Sequence, residues 1–378
     1  MPKHAYLAAS ASERWLACPP SAKLCAEAED QGSRYAQEGS DAHTLCQYLV
    51  EKALGYTCRD PTEDLGWYNT EMQECAEAYC AFVMEQVEEA KKLCADPLIC
   101  VEQTLDFSKW VEHGFGTGDC VIVADDLLQI IDFKYGEGHV VTAAGENGTG
   151  NPQLSCYALG AIDTFGDLYD IRRVKLTIFQ PRRDNVDSFE TTKDALLDWA
   201  ENTLAPIARL AYNGEGEFRA GDHCRFCRVK GSCRARAEYA MELAKYDFAE
   251  APTLSADEIS AILPMVDTLT KWAEDIKSFA LAQALSGIRY PGFKLVEGKS
   301  NRKYTNEAEV ARIVTEAGYD AYEKKLLGIT AMTKQLGRKQ FDTLLKGLVE
   351  KPHGKPELVP DSDKRPEYSS AKTDFTED

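Results

Sequence analysis

The sequence has no apolar run close to the roughly 20 residues that a membrane-spanning helix requires. Its first ten residues, MPKHAYLAAS, lack the apolar core of a secretory signal peptide. Both absences argue against a membrane or exported protein. We therefore expect a cytoplasmic protein that makes no membrane contact.

Positive charge is also scarce, because 43 Lys and Arg residues face 62 Asp and Glu residues and the net charge is −19. A protein that coats nucleic acid nonspecifically needs an excess of cations, so this class is disfavoured, although a local basic groove is still compatible. The phosphate-binding pattern G-x-x-x-x-G-K-[ST] is missing too, which argues against an ATPase motor.

The residues that are present describe an ordinary globular chain of 378 residues, 44% hydrophobic and 28% charged. Helical and strand-like periodicities follow one another, which predicts an α/β core with a mixed sheet flanked by helices. The predicted strands are 98–107, 117–124, 127–134 and 171–180. The predicted helices are 10–55 with a break at 31–33, 70–95, one that begins at Asn151-Pro152, and 193–212.

Residues 237–350 are predicted to be a mainly helical C-terminal region. Residues 351–378 are rich in Pro, Asp, Lys and Ser and are predicted to form a poorly ordered acidic tail. The first 236 residues therefore contain the α/β domain.

The predicted hairpin of 117–124 and 127–134 carries the first chemical signal. Asp132 and Lys134 are two residues apart on one strand, so their side chains leave the same face, and Asp119 lies on the partner strand. Two carboxylates and a lysine form a site for a hard divalent cation and an activated water. The plain alternative is a surface ion pair between Asp132 and Lys134.

Further polar residues lie in the elements around this hairpin. His43 is on a predicted helix and Glu102 on the preceding strand. Gln153 and Tyr157 share one face of the helix that follows. In this order, Gly-x-x-x-His, Gly-x-x-Asp, Asp-x-Lys and Gln-x-x-x-Tyr resemble the motifs of the RecB-like branch of the PD-(D/E)XK nucleases.

That resemblance implies a restriction-endonuclease-like core and hydrolysis of DNA with Mg²⁺ or Mn²⁺. The metal ligands it implies are His43, Asp119, Asp132 and the carbonyl of Phe133. By the same resemblance, Lys134 orients or deprotonates the water. Gln153 and Tyr157 hold either the DNA backbone or this lysine, and Glu102 is either catalytic or a structural hydrogen-bond partner.

A second signal is the cysteine pattern Cys224-x2-Cys227-x5-Cys233. Three thiolates within ten residues can converge on one metal centre, and a tetrahedral site needs a fourth ligand. Zinc ribbons usually supply a second C-x2-C nearby, and the sequence has none there. His223 is adjacent to the first cysteine, which makes it a poor fourth ligand.

The cysteine pattern resembles RecB-like nucleases with an iron–sulfur cluster, such as the AddB-type and CRISPR-associated ones. These take one cysteine from an N-terminal helix, and Trp15-Leu16-Ala17-Cys18-Pro19 matches that piece. The resemblance implies a [4Fe–4S] cluster held by Cys18, Cys224, Cys227 and Cys233 that staples the fold. Zinc is the alternative metal, and Cys25 is the alternative N-terminal ligand.

The cysteine loop is locally basic, and Arg225, Arg228 and Lys230 are candidate DNA contacts; a solvated basic face is the alternative. Longer stretches, among them ASERWLACPPSAKL and HCRFCRVKGSCRA, are similar to an uncharacterised family of phage and prophage proteins taken to be RecB-like nucleases. This implies a DNA exonuclease that resects ends for a single-strand annealing or recombinase partner, with oligomers possible. A scaffold module that binds DNA or a partner is the second hypothesis.

Overall fold

The computed structural model of the protein describes residues 5–29, 32, 34–145, 148–243, 255–296, 305–322 and 327–349. The chain divides into two compact units, residues 1–295 and residues 296–378. In the described part, no helix is both long and apolar enough to cross a membrane. The predicted acidic tail, 351–378, lies outside the described residues.

The first unit is built on a five-stranded mixed sheet with the strand order β1-β2-β3-β4-β5. Neighbouring strands are antiparallel except for β3 and β4, which are parallel. The mixed sheet flanked by helices confirms the predicted architecture. The strands are β1 (Leu98–Asp106), β2 (Phe115–Ala124), β3 (Leu127–Phe133), β4 (Arg173–Gln180) and β5 (Asn185–Thr192).

Nine helices are described in this unit, and the sheet separates two groups of them. They are α1 (Ser12–Ala17), α2 (Ser21–Glu27), α3 (Arg34–Ala53), α4 (Thr70–Leu93), α5 (Pro152–Phe165), α6 (Lys193–Trp199), α7 (Ala205–Asn213), α8 (Arg234–Leu243) and α9 (Ala256–Leu285). In the second unit, the described helices are α10 (Glu307–Glu316), α11 (Ile329–Leu336) and α12 (Arg338–Leu344).

Helix α5 connects the parallel strands β3 and β4 and is buried against one face of the sheet. Its start is fixed by Asn151, whose side chain accepts hydrogen bonds from the amides of Gln153 and Leu154, and by Pro152 in the first turn. The core on this face also takes in Trp15 of α1 and Ala208 of α7. Helices α3 and α4 cover the opposite face, where Phe133 and Tyr79 are buried.

The structure differs from the sequence expectations in three places. Strand β5 was not predicted; it is a polar edge strand in which half-buried and exposed residues alternate. The helix expected over 10–55 also breaks at Cys18-Pro19-Pro20, since proline restricts the residue before it to extended conformations. The helix expected over 193–212 contains a π-helical segment, Ala200–Leu204, just before Pro206, whose missing amide hydrogen interrupts the α-helical ladder.

Two helical glycines provide a test of how tightly α5 packs on β1. A Cβ atom on Gly160 would lie 3.0 Å from Cβ of Leu105 and 3.1 Å from the carbonyl oxygen of Asp106, whereas one on Gly39 of α3 would meet nothing within 4 Å. We expect Gly160→Ala to lower the free energy of unfolding by roughly 1–2 kcal/mol, because overpacking outweighs the gain in helix propensity.

The matched variant Gly39→Ala gains helix propensity without a clash and should be up to about 1 kcal/mol more stable than the wild type. Urea unfolding of the three proteins measures both effects. A Gly160→Ala protein as stable as the wild type would contradict the close packing of α5 on β1.

Candidate metal centre and cysteine cavity

The β1–β2 ladder is interrupted at the position where Glu102 faces Asp119. Val101 pairs with Cys120 and Gln103 with Gly118, but the two acidic residues between them do not pair. Glu102 has a left-handed backbone with φ 49°, which is uncommon for a residue other than glycine. This local strain interrupts the alternation of side chains along both strands.

The consequence is that two consecutive side chains of β2 lie on the α3 side of the sheet. Cys120 is in the core beneath α3 and α4, and Asp119 contacts His43 of α3, with 3.1 Å between Oδ1 and Nδ1. Oδ2 of Asp119 accepts a 2.6 Å hydrogen bond from the amide of Phe133. Asp119 therefore joins α3, β2 and β3.

Glu102 completes a group of three potential metal ligands. One ligand atom each from His43, Glu102 and Asp119 lies within 4.8 Å of the others. The His43 ring packs edge-on against Phe133, with 5.4 Å between the ring centroids, and this contact fixes its orientation. Imidazole and carboxylate donors at this spacing suit a divalent cation such as Mn²⁺ or Mg²⁺.

A second row of polar residues runs from Asp132 to α5. The Lys134 ammonium is 2.9 Å from Oδ2 of Asp132 and donates a 2.8 Å hydrogen bond to Oε1 of Gln153. The Gln153 amide donates in turn to the Tyr157 hydroxyl at 3.1 Å. Gly116 allows this approach, because a Cβ there would lie 2.7 Å from the Tyr157 ring.

Asp132 is a buried carboxylate beside this ligand group. Its side chain is 4% exposed, and the contact of Oδ2 with Lys134 is an ion pair without hydrogen-bond geometry. Among the described residues, this buried oxygen has no hydrogen-bond partner. The Lys134 ammonium compensates the charge of this buried oxygen, and a metal ion or its bound water could supply a further contact.

The acidic surroundings shift the protonation of His43 and Glu102. Burial opposes the charged imidazole, but Asp119, Asp132 and Glu102 together raise the pKa of His43 to about 9. Burial and the neighbouring Asp119 raise the pKa of Glu102 to about 7, although His43 opposes this. Protons therefore compete with a cation for this group of ligands.

The two buried aspartates shift in opposite directions. Burial alone would raise the pKa of Asp119, but His43 and the Phe133 amide hold it below its ordinary value. Burial raises the pKa of Asp132, and Lys134 opposes the shift without reversing it. Two carboxylates with opposed shifts can take different roles, one as a permanent anion and one as a group that gains charge when a cation binds.

The structure thus brings most of the predicted nuclease residues to one end of the sheet. His43 and Asp119 meet as expected, and Asp132, Lys134, Gln153 and Tyr157 form one connected row. Within the ligand group, however, the third donor is Glu102 and not Asp132. The Phe133 amide donates to Asp119, and the role of the Phe133 carbonyl as a metal ligand stays a prediction.

The cysteine pattern forms a second site, a small cavity near the N-terminal helices. Thiols from α1 and from the loop before α8 line it together: Cys18, Cys224, Cys227 and Cys233. In the described chain, no three cysteine or histidine ligand atoms there lie within 4.8 Å of one another. Four thiols around a common space fit a multi-atom cluster better than a single ion in this arrangement.

Cys25 of α2 lies beside this cavity without lining it. Its sulfur is 3.7 Å from that of Cys227 and accepts a 3.4 Å hydrogen bond from the Arg228 amide. Cys18 instead neighbours His223, whose side chain lowers the pKa of this thiol even though burial raises it. The structure therefore keeps both predicted N-terminal ligands close, with only Cys18 on the cavity wall.

The three predicted DNA contacts have different surroundings. Arg228 donates a 3.0 Å hydrogen bond to the carbonyl of Cys25, and Lys230 pairs with Asp275 of α9 at 3.1 Å. The Arg225 guanidinium lies over the exposed ring of Phe226, 5.6 Å from its centroid. Arg225 is therefore the one of the three with its charged group at an exposed ring, and its contacts with Asp222 are local, whereas the other two bind distant parts of the chain.

Comparison with known proteins identifies a family. The model of the family described as "Protein of unknown function (DUF2800)" matches residues 4–366, so the chain belongs to this family. Among solved structures, the chain is similar to one titled "Crystal structure of SSO0001" at 13% identity, covering 51% of this chain and 95% of that chain. The TM-score is 0.22, which supports no conclusion about fold or function.

The raised pKa of His43 predicts how the stability of the metal-free protein depends on pH. The pKa rises from its ordinary value of 6.5 to about 9 in the folded state, so the folded protein binds this proton more tightly than the unfolded chain. The resulting stabilisation is complete below pH 6.5 and is lost as the pH rises to about 9. Because solvent reaches 37% of the side chain, we expect about 1–2 kcal/mol.

His43→Gln removes this proton without removing the helix. In EDTA, the difference in free energy of unfolding between wild type and variant should shrink by that amount between pH 6.5 and 9. Thermal or urea unfolding at several pH values measures it. A difference that does not change with pH would show that the His43–Asp119 pair is not charged in solution.

Proposed function

We propose that the protein is a metal-dependent DNA exonuclease of the RecB-like PD-(D/E)XK type. One observation supports this most: two connected groups of residues meet at one end of the sheet. The ligand group of His43, Glu102 and Asp119 adjoins Asp132, a buried carboxylate that acts electrostatically on His43. Asp132 in turn holds Lys134.

In this proposal, His43, Asp119 and Glu102 hold one Mg²⁺ or Mn²⁺, with Asp132 turned toward the same space. The ion, when bound, polarises the scissile phosphate and makes a bound water acidic. Lys134 is held between Asp132 and Gln153, so its ammonium can orient the attacking water and offset the charge that develops on the phosphate oxygens. Gln153 and Tyr157 fix the position of this lysine.

We further propose a [4Fe–4S] cluster in the cysteine cavity, with zinc as the alternative. Cys18 belongs to the N-terminal part of the chain, and Cys224, Cys227 and Cys233 lie more than 200 residues later. A cluster on these four thiols closes a long loop of the chain, which restricts the unfolded state and stabilises the fold. Its role in this proposal is structural and not catalytic.

The biological setting that fits is resection of DNA ends to give single strands for an annealing or recombinase partner. This proposal includes a phage or prophage origin and a location in the cytoplasm of a bacterial host. It is also compatible with an oligomer. Without a motor of its own, the enzyme would act at ends that are already accessible. The competing proposal, a scaffold that binds DNA without cutting it, predicts binding but no cleavage.

Asp132→Asn tests the proposed activity with little change in shape. We expect Mn²⁺-dependent degradation of end-labelled linear DNA to fall at least about 100-fold, because the variant loses the negative charge that places both the cation and Lys134. Circular duplex DNA should be spared by the wild type. The matched control is Asp126→Asn, at the turn of the same hairpin, which should cut normally.

Equal cleavage by the Asp132→Asn variant and the wild type would show that the assigned site is wrong. If the wild type, with its cluster and metal in place, binds DNA but does not degrade it, the scaffold proposal is correct instead. The position of the label in the first products gives the polarity of digestion.

The two N-terminal thiols provide a test of the cluster. We expect Cys18→Ser to lose the broad visible absorption of an iron–sulfur protein and to become less stable, since Cys18 lines the cavity. Cys25→Ser should keep the absorption, because Cys25 lies outside the cavity. Absorption spectra and iron and sulfide contents after anaerobic purification measure both, and a colourless, zinc-containing wild type would rule out the cluster.

A further inference from the structure

Phe226 is an exposed aromatic ring on the cysteine loop. It lies between Cys224 and Cys227, both of which turn inward to line the cysteine cavity. Phe226 itself is 58% exposed. Burying a phenylalanine stabilises a fold by roughly 1.5–3 kcal/mol, so an exposed ring on a fixed loop forgoes that gain.

The ring is not isolated on the surface. The Arg225 guanidinium lies over it at 5.6 Å from the ring centroid, and the His139 ring packs beside it at 5.6 Å between centroids, tilted by 46°. Arg225 is held in turn by a 2.9 Å hydrogen bond from its Nε to the carbonyl of Asp222. Phe226 and its two cationic or polar neighbours form a small group that we call the aromatic rim.

The aromatic rim is connected to the candidate metal centre through the chain segment that follows Lys134. His139 belongs to the segment that follows Lys134, and Gln180 at the end of β4 fixes that segment by donating to the carbonyls of Gly136 and His139 at 2.7 and 2.8 Å. Gln180 is 2% exposed, so this attachment is buried. A group bound at Phe226 therefore has a fixed position relative to Lys134.

The charge around the rim is positive although the chain is strongly acidic. Burial lowers the pKa of His139, and Arg225, Lys134 and Arg183 lower it further, while Glu13 opposes them. Of these cations, Lys134 is paired with Asp132 at 2.9 Å, and Arg225 lies 4.0 Å from the exposed Asp222 carboxylate. Arg225 is therefore the cation beside Phe226 that an approaching phosphate can contact. Single exposed aromatic residues are common, but one that lies under an arginine and beside a histidine has the features of a nucleic-acid stacking platform.

Resting on the proposed function, we infer that Phe226 stacks on an unpaired base of a single-stranded DNA end and that Arg225 contacts the adjoining phosphate. An aromatic ring accepts any base face, so the contact is tolerant of sequence. Bases inside a duplex are already stacked on their neighbours and cannot reach the ring. The rim therefore selects frayed or single-stranded ends over blunt duplex.

The experiment compares binding of a fluorescein-labelled 12-nucleotide single strand with that of the same sequence as a blunt duplex, by fluorescence anisotropy. All proteins carry Asp132→Asn, so that the DNA remains intact, and contain the cluster. We expect Phe226→Ala and Phe226→Leu to bind the single strand about 5- to 100-fold more weakly. Phe226→Trp should bind it within about 3-fold of the parent, since stacking is preserved.

Two further readouts separate stacking from charge and from loop damage. Phe226 variants should keep the salt dependence of binding, whereas Arg225→Gln should lower its slope by about 0.7 for a single strand. The fluorescence of Phe226→Trp should be quenched when the single strand is added. The control is Phe293→Ala, an 85% exposed phenylalanine outside the rim, which should bind as the parent does.

Unchanged single-strand affinity in the alanine and leucine variants would overturn the inference, as would an equal loss for duplex and single strand. If those variants lose the cluster, the quenching of Phe226→Trp decides the question, and its absence overturns the inference. The nuclease proposal can fail independently. If the wild type binds single strands through Phe226 but never cuts them, the stacking inference stands and the nuclease proposal fails. If the wild type cuts DNA and Phe226→Ala has the same KM for it, the stacking inference fails and the nuclease proposal stands.

Discussion

The candidate site depends on the two oxygens of one carboxylate. Asp119 accepts from the Phe133 amide through Oδ2 and contacts His43 through Oδ1, so it links the two strands of the hairpin to the helix above them. The link exists because the β1–β2 ladder is interrupted at Glu102 and Asp119. A regular ladder would send Asp119 to the opposite side of the sheet from Cys120, toward α5 and away from His43.

The sequence was sufficient to predict the hairpin, the row of Asp132, Lys134, Gln153 and Tyr157, and the mixed sheet. Spacing within single regular elements places Asp132 with Lys134 and Gln153 with Tyr157, because the periods of 2 and 3.6 residues assign faces directly. The meeting of these two pairs was implied by the resemblance to RecB-like nucleases and not by spacing. The sequence was not sufficient to place Glu102 within the group of three potential metal ligands. A left-handed backbone cannot be predicted from the residue type when the residue is a glutamate. The conformation of Glu102 is therefore visible only in the three-dimensional structure of the paired strands.

Other departures have the same origin in tertiary contacts. Strand β5 is polar and gains its conformation by pairing with β4, which the local sequence pattern does not predict. The neighbourhood of Cys25 and Cys227 joins residues that are 202 positions apart. Such a contact is a property of how α2 and the cysteine loop pack, and a motif that counts residues along the chain cannot contain it.

The distribution of charge explains how a chain with a net charge of −19 can present a site for a polyanion. Several cations are neutralised within the protein. Arg182 forms ion pairs with three glutamates, Glu38, Glu71 and Glu137. Asp275 forms ion pairs with Lys230 and Arg236. An approaching phosphate chain is attracted mainly by cations whose carboxylate partners are distant. Arg225 is one of these cations, because its guanidinium lies 4.0 Å from the Asp222 carboxylate. Under the proposed function, the rest of the surface is acidic and repels DNA. The proposed substrate is therefore guided to the aromatic rim and the metal centre and is not held along the whole protein.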